Sequence, residues 1–243
     1  MRREVILLLI VLLIGIAVGY LIPRAPPPII TERVVEQPEV YTAEYVIPAL
    51  DRDGNGVIID LKVEAQEGSG QVLTNIEDLL FWVDTQYSIQ VARGVAENIT
   101  GIDLSKTDLT YTIETGQNAS ILGGQSAGAA LTLATIAALE NMTLDKSIMI
   151  TGTIDQNGTI GEVGGVAQKA EAAQTAGAQL FLVPPGQGTQ TTLEPHKECR
   201  QLDGAIYCEI TYEEISKSVL EGVDIQVQEV SNIDEALEYF DLK

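Results

Sequence analysis

The sequence is poor in the groups that enzymes most often use as bases and ligands. One histidine, His196, occurs in 243 residues. Lys and Arg together number 14 against 35 Asp and Glu, a formal net charge of −21. That balance excludes nucleic acid as an expected partner, because no basic face is available to neutralise phosphates. Aromatics are sparse, and the single tryptophan, Trp82, reads as packing. No G-x-x-x-x-G-K-[ST] occurs, so these residues carry no nucleotide-binding loop of that kind. No cofactor is expected.

There are only two cysteines, Cys199 and Cys208. Their close spacing suits a disulfide across a short hairpin. Free thiols are the alternative. A metal site built on them and His196 lacks a fourth ligand nearby, so no metal is expected.

What is abundant is apolar sequence, and much of it sits at the start. An unbroken run from Val5 to Ile22 follows Met1-Arg2-Arg3-Glu4. At about 1.5 Å per residue a helix of that length crosses a bilayer core. Arg2 and Arg3 place the N-terminus in the cytoplasm and the rest outside. The rival reading is a signal peptide cut after Ala17-Val18-Gly19, although the run continues past that point. No second run of this kind follows. The expected organisation is an anchor at 1–22, a Pro-rich linker at 23–40 stiffened by Pro26-Pro27-Pro28, and a folded domain at 41–243. Sequons at Asn98, Asn118, Asn141 and Asn157 are compatible with an exterior domain.

From Tyr41 the pattern is α/β, with a mixed sheet and helices mainly on one face. Tyr45 to Leu50 and Val57 to Ala65 alternate as strands. Asp51 to Gly56 between them imitates an EF-hand start, but its twelfth position is Lys62, so it reads as a turn. Ile76 to Ile99 has helical spacing, and Leu109 to Ile113 alternates as a strand. A helix from Ala127 to Leu139, a strand from Ile148 to Ile154 and a helix after Gly164-Gly165 come next. Then come a strand at Gln179 to Val183 and a turn-rich stretch at Gly186 to Gly204. The chain closes as helix (Tyr212 to Leu220), strand (Ile225 to Val230) and helix (Asn232 to Phe240).

Chemistry concentrates in Gly123 to Ala176. Ser126 stands in Gly124-Gln125-Ser126-Ala127-Gly128, where small neighbours let a substrate backbone approach. A serine needs a base. Lys169 lies on an Ala-rich helix with few groups to solvate an ammonium, so its pKa should fall. The G-x-S-x-G pattern also matches the α/β-hydrolase elbow, with Asp155 and His196 as partners. Against that, loop-like residues precede Gly124, and His196 sits in a charged loop. A third reading makes Ser126 a helix N-cap.

Several motifs in fixed order resemble the proteolytic domain of Lon proteases, especially the membrane-anchored archaeal type. Gly124 to Gly128 is similar to the family's nucleophile motif, and Met149-Ile150-Thr151-Gly152 to its next strand. Gly158 to Gly165 is similar to its double-glycine turn, and Val166 to Ala173 to its lysine helix. The resemblance covers most of the chain after the linker. It implies a Lon-like fold in which Ser126 is nucleophile, Lys169 general base and Thr151 the hydroxyl that orients the lysine. Gly124 and Gln125 would then support the site. It also implies polypeptide substrates and a homo-oligomeric ring. Two positions depart from the family pattern. Gly123 stands where Asp is common, and Gln125 where Pro or Asp usually precedes the serine. The expectation is a membrane-anchored, ATP-independent serine endopeptidase. An esterase using His196 and an inactive peptide-binding scaffold are the alternatives.

Overall fold

A computed structural model describes residues 2–21, 38–76, 80–81, 83–115, 121–122, 125–202, 205–218 and 223–240. The chain divides into two units, Met1–Gln37 and Pro38–Lys243. In the first, helix α1 (Arg2–Leu21) is long and apolar enough to cross a membrane, and its described side chains are all exposed.

The second unit is mixed α/β. It opens with an antiparallel hairpin, β1 (Val40–Leu50) and β2 (Gly56–Glu67). Asp51 closes the turn: its carboxylate accepts the N–H groups of Asp53 and Asn55 at 2.9 and 2.8 Å. The EF-hand look-alike is therefore an Asx-type turn. Strand β3 (Val72–Ile76), the short β4 (Leu80–Phe81) and helix α2 (Val83–Thr100) follow. The helix expected from Ile76 thus begins at Val83, because Ile76 is taken by pairing with Ile113. Trp82 and Leu79 lie outside the described residues.

Strand β5 (Thr107–Glu114), short β6 (Ile121–Leu122) and a tight 3-10 turn at Gln125–Ala127 lead into α3 (Gly128–Leu139). Then come β7 (Ile148–Ile150), β8 (Thr153–Ile154), β9 (Ile160–Gly161), α4 (Val166–Thr175) and β10 (Leu180–Val183). The last elements are β11 (Thr189–Leu202), β12 (Ala205–Ser218), β13 (Gln226–Glu229) and α5 (Ile233–Tyr239).

One sheet runs β1-β2-β5-β3, antiparallel except for the parallel β3–β5 pair. A second, all-parallel sheet runs β13-β10-β7. Between these sheets and helices α2 and α5 lies α3, with all twelve residues buried. Its sequence is apolar on every face, as a helix enclosed on all sides must be. Its two polar residues satisfy themselves: Thr132 and Thr135 donate to the Gly128 and Leu131 carbonyls at 2.8 and 2.7 Å. Gly128 is required where α3 meets β8. A Cβ there would lie 2.9 Å from the Ile154 backbone nitrogen.

Two expectations at the C-terminal side are corrected. The turn-rich stretch at 186–204 and the helix at 212–220 are mostly the two strands of one long hairpin, Thr189↔Ser218 through Leu202↔Ala205. The Glu-containing segment from Tyr212 has helical propensity, but cross-strand pairing overrides it. Pro195 is tolerated because both strands of a two-stranded ribbon are edges. Cys199 and Cys208 face one another across it in a disulfide, with Cα atoms 4.0 Å apart.

Because α3 is enclosed throughout, Leu131→Ala should lower the unfolding free energy by roughly 2–5 kcal/mol. Urea denaturation followed by far-UV circular dichroism measures it.

Candidate active site

The strand expected from Ile148 to Ile154 breaks at Thr151-Gly152, and the break builds the site. Thr151 N–H still bonds across to the Leu182 carbonyl at 3.0 Å, but Gly152 turns its N–H to the Ser126 carbonyl at 3.1 Å. The Gly152 carbonyl in turn accepts from Ala129 N–H at 3.1 Å. The backbone after β7 is thus stitched to the 3-10 turn carrying Ser126, at the point where α3 begins. The N-cap of α3 is Ala127, without a side-chain cap bond, so Ser126 is not the cap and its hydroxyl is released from that role.

Lys169 arrives from α4. The N-cap of that helix is Gly165, whose φ of +67° is the left-handed conformation that glycine adopts without penalty. A Cβ there would also run into the Leu50 side chain. The buried face of α4 is Val166, Lys169, Ala170 and Ala173, so the lysine occupies an otherwise apolar stripe. It is 2% exposed. Its Nζ donates to Thr151 Oγ1 at 3.3 Å, and Thr151, itself fully buried, donates to the Ser126 carbonyl at 3.3 Å. Among the described residues Lys169 has no ion-pair partner. Burial without a counter-charge lowers its pKa from 10.5 to about 8.

Ser126 and Lys169 line the same cavity of about 330 Å³, with Ile47 to Leu50 of β1 on one wall and Gln125, Thr153, Glu162, Val163 and Gly164 on others. Ser126 is half-buried and Gln125 exposed, while Gly123 and Gly124 lie outside the described residues. The hydrolase partners are placed differently. His196 is exposed on β11, opposite Thr211, and Asp155 spends its carboxylate on the N–H groups of Asn157 and Thr159, both at 2.8 Å. Those bonds hold its carboxyl below the usual range. Neither residue lines the Ser126 cavity. No cluster able to hold a metal occurs among the described residues. Glu162 and Gln187 carry little signal in the sequence beyond an acidic residue two positions before the double glycine.

The mixed α/β core thus brings a serine-bearing helical turn and a buried lysine to one cavity. The chain belongs to the family described as Lon protease (S16) C-terminal proteolytic domain, whose profile matches residues 56–222. It is 30% identical over 143 residues to the Archaeal Lon protease of Methanothermobacter thermautotrophicus, covering 56% of this chain and 21% of that protein. It is 29% identical over 150 residues to the Archaeal Lon protease of Methanocaldococcus jannaschii, covering 58% and 22%. It is 26% identical over 175 residues to Lon protease 2 of Bacillus subtilis, covering 69% and 30%. The chain therefore spans less than a third of the length of these relatives.

The lysine's depressed pKa has a stability consequence with a definite sign. Below about pH 8 the folded state must bury an ammonium that the unfolded chain would solvate, and this penalty is fully present there. It fades as pH rises from about 8 towards 10.5, where both states become neutral. Lys169→Met should therefore be more stable than the parent at pH 7, by up to about 3 kcal/mol. The gap should close above pH 10.5. Denaturation of both chains across that range measures it.

Proposed function

We propose that this protein is a membrane-anchored, ATP-independent serine endopeptidase that cleaves unfolded or flexible polypeptides through Ser126 and Lys169. The observation that carries the reading is the buried amine of Lys169, without a counter-charge among the described residues and bonded to Thr151 beside the cavity that Ser126 also lines. Near pH 8 a large fraction of such an amine is neutral. A neutral amine has two N–H bonds and one lone pair. With one N–H given to Thr151, the lone pair remains to take a proton from Ser126 Oγ.

Ser126 Oγ attacks the peptide carbonyl carbon as its proton moves to Lys169. The carbonyl oxygen becomes an oxyanion, held by backbone N–H groups at the 3-10 turn before α3, where helical N–H groups lack intrahelical partners. Collapse breaks the C–N bond, and Lys169 returns the proton to the leaving amine. Water then hydrolyses the acyl-enzyme with Lys169 again as base. Thr151 is a positioning residue: it holds the amine and ties it to the Ser126 backbone.

Arg2 and Arg3 at the start of α1, before its apolar run, support an N-terminus in the cytoplasm and a domain at 41–243 outside the membrane, carried on the 23–40 linker. A Cys199–Cys208 disulfide suits an oxidising exterior, and so does independence from ATP. The family resemblance supports assembly as a homo-oligomeric ring.

Ser126→Ala and Lys169→Ala should each abolish peptidase activity, and His196→Ala should not. Lys169→Arg should stay inactive at every pH, because guanidinium keeps its proton. For a peptide without titrating groups, kcat/KM should rise along a single ionisation near pH 8 and then level off. A limb centred near 6.5 that vanishes in His196→Ala would transfer the role of base to the histidine.

A further inference from the structure

Glu162 is an exposed acid on the wall of the Ser126 cavity, in the segment between β9 and α4. Among the described residues it has no ion-pair partner. Its backbone is nonetheless held from both sides. Before it, Gly161 pairs with Thr153 across the β8–β9 ladder. After it, the Gln187 side chain clamps Val163: Val163 N–H donates to Gln187 Oε1 at 2.9 Å, and Gln187 Nε2 donates to the Val163 carbonyl at 2.8 Å. Two residues further on, Gly165 caps α4. A carboxylate presented from a fixed backbone needs little further ordering to meet a ligand.

Among the described residues the rest of the cavity wall, Lys169 apart, is uncharged. Ile47, Pro48, Ala49 and Leu50 are apolar, and Gln125, Ser126 and Thr153 are uncharged. Lys169, the cationic group among the described lining residues, is buried on Thr151 and is needed neutral. An apolar wall with one fixed negative charge is complementary to a side chain with an apolar stem and a positive head.

We propose that Glu162 makes this cavity selective for polypeptide segments with Lys or Arg beside the cleaved bond. This rests on the reading of Ser126 as nucleophile given above. The stem of such a side chain packs on the β1 wall while its head reaches Glu162. The net charge of −21 also draws basic segments towards the protein over longer range.

The test uses the full-length chain in detergent micelles and peptide pairs that differ only by Lys against Gln near the cleavage site. For each pair the ratio of kcat/KM values is measured. The ratio should favour Lys by about fivefold at low ionic strength, the scale of a partly exposed ion pair. It should fall towards one in about 1 M salt, where charges are screened within a few ångströms. Glu162→Gln should bring it to one, and Glu162→Lys should invert it. A serine-directed covalent probe, read out by residue, runs alongside. If Ser126 is labelled but the parent shows no Lys preference, or the preference survives Glu162→Gln, the inference is overturned and the nucleophile stands. If Ser126 takes no label and Ser126→Ala cleaves as well as the parent, the nucleophile reading fails and the inference with it.

Discussion

The candidate site depends on an amine held out of water that no carboxylate pairs among the described residues. A buried ammonium is costly, and proteins usually neutralise such a charge by pairing it or by releasing its proton. Among the described residues the apolar stripe of α4 leaves Lys169 a hydroxyl partner, that of Thr151. The balance shifts towards the neutral amine, which is what proton abstraction needs. A carboxylate in Thr151's place would reverse the effect, since it would stabilise the ammonium and disable the proposed base.

The surrounding fold serves that arrangement. Enclosing α3 on all sides fixes the turn at its start, and with it Ser126. The interruption between β7 and β8 lets one short segment bond three ways: Thr151 to the parallel sheet, Gly152 to Ser126, and the Gly152 carbonyl to α3. Position is thus transmitted from two secondary-structure layers to one serine through backbone hydrogen bonds, which tolerate little drift.

Much of this was legible in the sequence. The alternation of β1 and β2, the unbroken apolar character of α3 and the lysine inside the stripe of α4 are local patterns, and each appears where expected. The failures share a cause, because each depends on a partner distant in sequence. Ile76 reads as helical until β5 claims it, and Tyr212 onward reads as helical until β11 does. The strand through Thr151 reads as continuous because nothing local shows that Gly152 will bond to Ser126. The Thr151–Lys169 contact is of the same kind: the family resemblance implied it, and periodicity alone could not. The clamp of Gln187 on Val163 carried no signal at all.

The most direct test of the account is the ionisation of Lys169 itself. Lysine side chains labelled at the ε position can be followed by NMR as pH is raised, with Lys169→Met assigning the resonance. The account predicts one lysine titrating near pH 8, apart from the others near 10.4. A Lys169 resonance that titrates with the surface lysines would contradict it, because an amine charged throughout the neutral range cannot be the base for Ser126.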